Sequence, residues 1–138
     1  MASTASIQFL PLEPLEEAVA VTDELLRPID PIHHRQLVKG NVTLTYVPWH
    51  RIALHLHKRL PGRWEWVLDE VKEIGSFVSV RGTLLLHLSD GSTRSFAGVA
   101  SEPLNTKGAP PIEVAASSAL RRAAGAAGLG LHLWDPDQ

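Results

Sequence analysis

Ser89-Asp90-Gly91-Ser92 separates two β-rich runs, Phe77 to Leu88 (FVSVRGTLLLHL) and Thr93 to Ala100 (TRSFAGVA). Asp-Gly between alternating runs supplies the positive φ that tight hairpin turns need, so the two runs are expected to fold back on each other as an antiparallel pair. A third run, Trp64 to Val71 (WEWVLDEV), comes before them, and the three together predict a meander. Beyond the sheet, Ala115 to Ala127 holds no β-branched side chain and is dominated by Ala, Leu and Arg, the best helix formers. Gly128 supplies the left-handed position that ends helices. Leu120, Ala123, Ala124 and Ala127 recur at i, i+3, i+4 and i+7, so the buried face of this helix is thin and permits close packing.

Upstream of the meander, Val42, Leu44 and Tyr46 alternate with Thr43 and Thr45, which predicts a short strand within Leu37 to Tyr46. Pro48 then suits the first turn of a helix. Trp49, Ile52, Ala53, Leu56 and Leu60 form its apolar stripe until Pro61-Gly62 ends it. The stretch Glu102 to Pro111, with Asn105, Lys107, Gly108 and three prolines, reads as the loop into the closing helix. The order strand, helix, meander, loop and helix is that of an α+β fold: an antiparallel β-β-β-α core with a preceding strand and helix packed on the sheet.

A chain of 138 residues that is 44% hydrophobic can bury a core of its own, and one domain suffices. It has no cysteine, which removes disulfides, thiol nucleophiles and Cys-based zinc sites. No apolar run reaches membrane-spanning length and the first residues lack the pattern of a signal peptide, so a cytoplasmic, nucleoid-associated location with no membrane partner is expected.

The net charge of −2 conceals a sorting along the chain. Residues 1–30 hold Glu13, Glu16, Glu17, Asp23, Glu24 and Asp30 against Arg27, a local −5. Residues 33–63 hold Arg35, Lys39, Arg51, Lys58, Arg59 and Arg63 with no acid, a local +6, together with five histidines. We therefore expect an acidic arm over residues 1–32, with at most a short helix near Leu15 to Leu26, and a domain over 33–138. A basic patch inside a near-neutral protein is the footprint of a phosphate-backbone groove. The polar face of the helix after Pro48, with His50, Arg51, His55, His57, Lys58 and Arg59, is a candidate phosphate rail. Lys39 precedes it, and Arg121-Arg122 stand side by side on the closing helix.

Three segments read together carry a resemblance: YVPWHRIALHLHKRLPGRWEW at Tyr46 to Trp66, LSDGSTRSFAGVASEPLNTK at Leu88 to Lys107, and ALRRAAGAAGLGLHLW at Ala119 to Trp134. In this order and spacing they resemble the Rad-fifty-two superfamily of single-strand annealing proteins, and within it the bacterial DNA damage response members. The resemblance covers roughly residues 40 to 134. It implies a core that assembles into homo-oligomeric rings, with single-stranded DNA in a basic groove across the subunits, end protection or strand annealing in DNA repair, and contacts with other repair proteins. The residues matching the inner-groove basic positions are Arg51, Arg121 and Arg122. Lys107 falls near a lysine associated with a second, outer DNA path. A further basic position, one turn along the closing helix, is Gly125 here, a departure from the pattern.

Enzymatic chemistry finds no foothold in the sequence, and no cofactor is expected. Of the seven histidines, His33, His34, His55 and His57 lie in the acid-free window and lack a carboxylate at i+3 or i+4, which argues against a catalytic metal there. Walker, dinucleotide and nucleophile-elbow motifs are absent. Asp69, Glu70 and Glu73 could mimic a nuclease cluster, but in a regular strand Glu70 would face opposite to the other two. The alternative to strand binding is a ring-forming interaction module of a repair complex with no DNA contact of its own.

Overall fold

A computed structural model describes residues 12–105 and 107–134. Helix α1 (Leu12–Leu26) leads through a 3-10 turn (Pro31–His33) into strands β1 (Arg35–Lys39) and β2 (Val42–Tyr46), followed by helix α2 (Trp49–Arg59). Strands β3 (Trp64–Ile74), β4 (Phe77–His87) and β5 (Thr93–Pro103) come next, then helix α3 (Pro111–Ala127) and a 3-10 turn (Leu131–Trp134). The fold is α+β, as the order of patterns predicts: β3-β4-β5 is an antiparallel meander and β1-β2 a separate two-stranded sheet.

The β4–β5 turn closes where Asp-Gly requires it, with Leu88 N–H donating to Ser92 O at 2.9 Å and Gly91 at φ 87°. Pairing then runs without interruption from His87 opposite Thr93 to Phe77 opposite Pro103. Val78, Val80, Leu84 and Leu86 alternate with half-buried or exposed neighbours along β4, so one sheet face is dry and carries α3. At the centre of that face Gly82 stands opposite Gly98. Trp66 lies across Gly82, while the backbone of α3 comes down on Gly98. Helix α3 buries the thin stripe read from the sequence, Leu120, Ala123, Ala124 and Ala127. It ends at Gly128 (φ 122°), whose N–H and that of Leu129 both reach back to Ala124 O, at 3.0 and 2.8 Å, as glycine-stopped helices do.

Two features differ from the sequence expectation. Leu37 to Tyr46 is not one strand but the greater part of a hairpin, because Gly40 (φ 59°) and Asn41 turn the chain between β1 and β2. The second difference is in the acidic segment. Helix α1 is part of the domain, with Val21, Leu25 and Ile29 buried in the same cluster as Leu56, Leu84 and Leu129. Fully burying aliphatic side chains contributes about 1.5–3 kcal/mol each, enough to hold an otherwise polar helix in place. Its acids also have partners inside the fold. Glu17 accepts from the Ser89 N–H and hydroxyl at 2.9 Å and pairs with Arg63, and its pKa is lowered chiefly by the Ser89 bonds.

Candidate nucleic-acid interface

Apart from Arg81, exposed on β4, the arginines of the chain fall into two groups. The protein answers the first group itself. Arg59, expected on the phosphate rail, donates to Glu24 O, Leu25 O, Arg27 O and Pro28 O at 2.6–3.3 Å. Glu24 O and Leu25 O lie in the last turn of α1, where no partner remains inside the helix, and Arg27 O and Pro28 O follow it, so Arg59 caps α1 and its guanidinium is engaged by the protein. Arg63 pairs with Glu17 and donates to His87 O. Arg27 pairs with Glu24, Arg94 donates to the Thr22 hydroxyl, and Arg35 donates to Ile32 O and His34 O. The sequence shows a run of charge, but it cannot show that α1 folds back and takes two of the cations.

The second group is Arg51, Arg121 and Arg122. No carboxylate lies within ion-pair distance of any of them among the described residues. Arg121 is half-buried, donates to the Ser118 hydroxyl at 2.8 Å and sits 5.1 Å from the centroid of Tyr46. Burial lowers its pKa, though an arginine remains charged at neutral pH. Arg122, one residue on, is exposed and sits 5.9 Å from the centroid of Trp134. Arg51, in the first turn of α2, has a buried Nε with no hydrogen-bond acceptor, an unanswered donor in a segment without acids. Tyr46 ends β2 and its ring lies against Arg121 on α3, so the end of β2 meets the closing helix at the arginine pair.

Of the remaining expected residues, Lys58 is exposed at the last turn of α2 and Lys107 is exposed in the loop before α3. The Lys39 side chain lies outside the described residues. The rail itself is narrower than expected. His55 turns inward and is only 9% exposed, whereas Trp49, expected in the apolar stripe, is 53% exposed. The helix is covered on two sides, by the sheet with α3 and by α1, which shifts its buried face towards His55.

His55 packs edge-to-face on His33 with 4.9 Å between centroids. Burial first, and then the charges of Arg59, His33, Lys58 and Arg51, push its pKa down to about 4 from an ordinary 6.5. Because the folded state holds this imidazole neutral, stability is flat in this group above pH 6.5. It falls as pH drops towards 4, where the unfolded chain takes up a proton that the folded chain refuses. Melting temperatures measured stepwise across that window should therefore fall more steeply for the parent than for His55→Leu. Equal slopes would remove the buried neutral imidazole from the account.

Tyr46 and Trp134 lie against Arg121 and Arg122, and the exposed Trp49 stands two residues before Arg51; none of the three is among the residues expected at the site. The interleaving of aromatic and basic residues in Tyr46-Val47-Pro48-Trp49-His50-Arg51 was the available signal. Gly125, the departure from the superfamily pattern, is explained by Trp134: a Cβ at Gly125 would stand 2.9 Å from the indole Nε1. A basic side chain there would displace the ring.

No protein-family model matches the chain, and no curated protein matches it. Among solved structures, one described as "An enumerative algorithm for de novo design of proteins with diverse pocket structures" is similar over 70% of this chain and 92% of its own, with 16% identity and a TM-score of 0.27. A likeness of that size carries no argument about function.

The acids Asp69 and Glu70 are held by neighbours on the sheet. A bulge between Leu68 and Glu70 shifts the strand register. Contrary to the alternation expected of a regular strand, Asp69, which accepts from the Thr83 hydroxyl, shares a face with Glu70, which stands opposite Arg81. Glu70 pairs with Lys72 in the open. Among the described residues no group of three or more His, Asp or Glu is placed to hold a metal ion, and no helix is long and apolar enough to cross a membrane.

Proposed function

We propose that the protein binds single-stranded DNA through its phosphates, as a non-enzymatic end-protecting or strand-annealing component of DNA repair. The observation that carries this is the sorting of the arginines. Five are engaged by carbonyls, hydroxyls or carboxylates of the protein, whereas Arg51, Arg121 and Arg122 have, among the described residues, no carboxylate within ion-pair distance, a trait shared by Arg81 on β4, and Arg121 and Arg122 lie against the rings of Tyr46 and Trp134. Cations alternating with aromatic faces suit a flexible strand, which offers both phosphates and unpaired bases. Lys58 and Lys107 extend the positive surface. The resemblance to the Rad-fifty-two superfamily, and to its bacterial DNA damage response members, points the same way.

Self-association is part of the proposal. The outer edge of β3 pairs with no described strand, and Val67, Leu68, Val71 and Ile74 along it are 42–55% exposed. Helix α3 covers β4 and β5 instead. A long apolar edge of this kind is a template for another chain, and it favours a second reading in which the protein is a ring-forming interaction module alone. Binding of a labelled oligothymidine, measured beside a blunt duplex and with the mass in solution, separates the two. We expect preference for the single strand and a mass well above the 15.1 kDa of one chain. An assembly that binds neither nucleic acid leaves the interaction module as the function.

A further inference from the structure

The C-terminal end of α3 carries a shelf of about 390 Å³ lined by Arg122, Gly125, Ala126, Leu131 and Trp134, within the roughly 300–1,000 Å³ typical of small-ligand clefts. Its floor is the small-residue surface of α3. One wall is the indole of Trp134, 50% exposed, and the rim is the Arg122 guanidinium. Three features of this shelf bear on what it could hold. An indole is a large apolar surface to leave half in water. It is held in place, because its pyrrole edge rests where Gly125 has no Cβ and its 3-10 turn is tied back by Leu133 N–H to Gly130 O at 3.0 Å. Among the described residues the lining contains one cation and no acid, so the shelf favours a ligand that is flat and apolar on one part and anionic on the next.

We propose that this shelf takes one unpaired base of a DNA strand, stacked on Trp134, with the neighbouring phosphate on Arg122. The assignment rests on the single-strand reading above and adds a base contact to it. Arg121 is the next residue along the helix, and Tyr46 lies against it. The strand thus leaves the shelf towards a second guanidinium and a second ring. Base stacking of this kind is tolerant of sequence, since every base has a π-face.

The test compares the parent, Trp134→Leu and Trp134→Phe on two strands of equal length, one of oligothymidine and one of abasic sugar-phosphate. The phosphates are the same in both and only the bases differ. For Trp134→Leu, affinity for the thymidine strand should fall roughly five- to hundredfold, the range of one base–aromatic stack. Its affinity for the abasic strand should equal that of the parent. Trp134→Phe, which keeps an aromatic face, should retain most of the thymidine affinity. A Trp134→Leu variant that binds both strands as the parent does overturns the shelf alone. Equal losses on both strands overturn it as well, and make Trp134 a support for α3. So does an unchanged affinity with an altered mass in solution, which gives the shelf to a second copy of the chain. A parent that binds neither strand overturns the shelf together with the reading on which it rests.

Discussion

Replacing Gly98 by Ala is expected to cost about 3 kcal/mol or more, the upper part of the range for overpacked cores, and to lower the melting temperature by roughly 10 °C. The added Cβ would stand 2.0 Å from Ala119 O, and Ala119 C and Ala123 N would both lie at 2.9 Å. All three are backbone atoms of α3, so no side-chain rotation relieves the clash. The helix must lift from β5, and Ala115, Ala119 and Ala123, each fully buried, lose contact with the sheet. Gly91→Ala is the informative control. Gly91 has nothing within 4 Å of a new Cβ and a φ of 87°, so its cost is the backbone term alone, roughly 1–2 kcal/mol. Thermal melting of both variants checks the claim, and equal losses would show that α3 does not rest on Gly98.

That contact also shows where the sequence stops being legible. The Asp90-Gly91 turn, the alternation along β4 and the glycine stop of α3 are local signals, each set by the φ or side-chain period of a few residues, and all three stand where they are expected. Gly98 is one glycine in a strand pattern until the helix from Ala115 onward is laid over it. The fate of the basic residues is non-local in the same way. Arg59 and Lys58 are adjacent and equally basic in the sequence. Only the return of α1, with its open carbonyl ends at Glu24 to Pro28, takes Arg59 out of the candidate surface and leaves Lys58 on it. His55 and Trp49 exchange the places the apolar stripe gives them because α2 is covered from two sides. For the candidate site, the sequence shows Arg51 and the Arg121-Arg122 pair, but not the rings of Tyr46 and Trp134 that the fold sets against the pair.

Replacing Arg121 and Arg122 together by Ala should weaken single-strand binding about a hundredfold at low salt. Two charge-assisted contacts are lost, each contributing at least about 1.5 kcal/mol, and each 1.4 kcal/mol is a factor of ten. The two residues do not contribute alike to folding. Arg122 is exposed, and Ala is at least as good a helix former, so Arg122→Ala should melt as the parent does while losing roughly tenfold in affinity. Arg121 is half-buried between Ser118 and Tyr46, so the double variant should also lose about 1 kcal/mol of stability with its hydrogen bond. Lys72→Ala, which removes one charge from the open face of β3, should leave binding unchanged. An Arg122→Ala variant that binds like the parent would make the arginine pair a structural feature.

The central claim is that the arginines without an acidic partner hold phosphates, and the salt dependence of affinity tests it most directly. Each phosphate neutralised on a single strand adds about −0.7 to the slope of log affinity against log salt concentration. Affinity of the parent and of the Arg121→Ala, Arg122→Ala double variant for oligothymidine, measured across a salt series, should give two straight lines. The parent line is expected to be the steeper by about 1.4, two contacts' worth. A parent line that is flat, or two parallel lines, would contradict the claim.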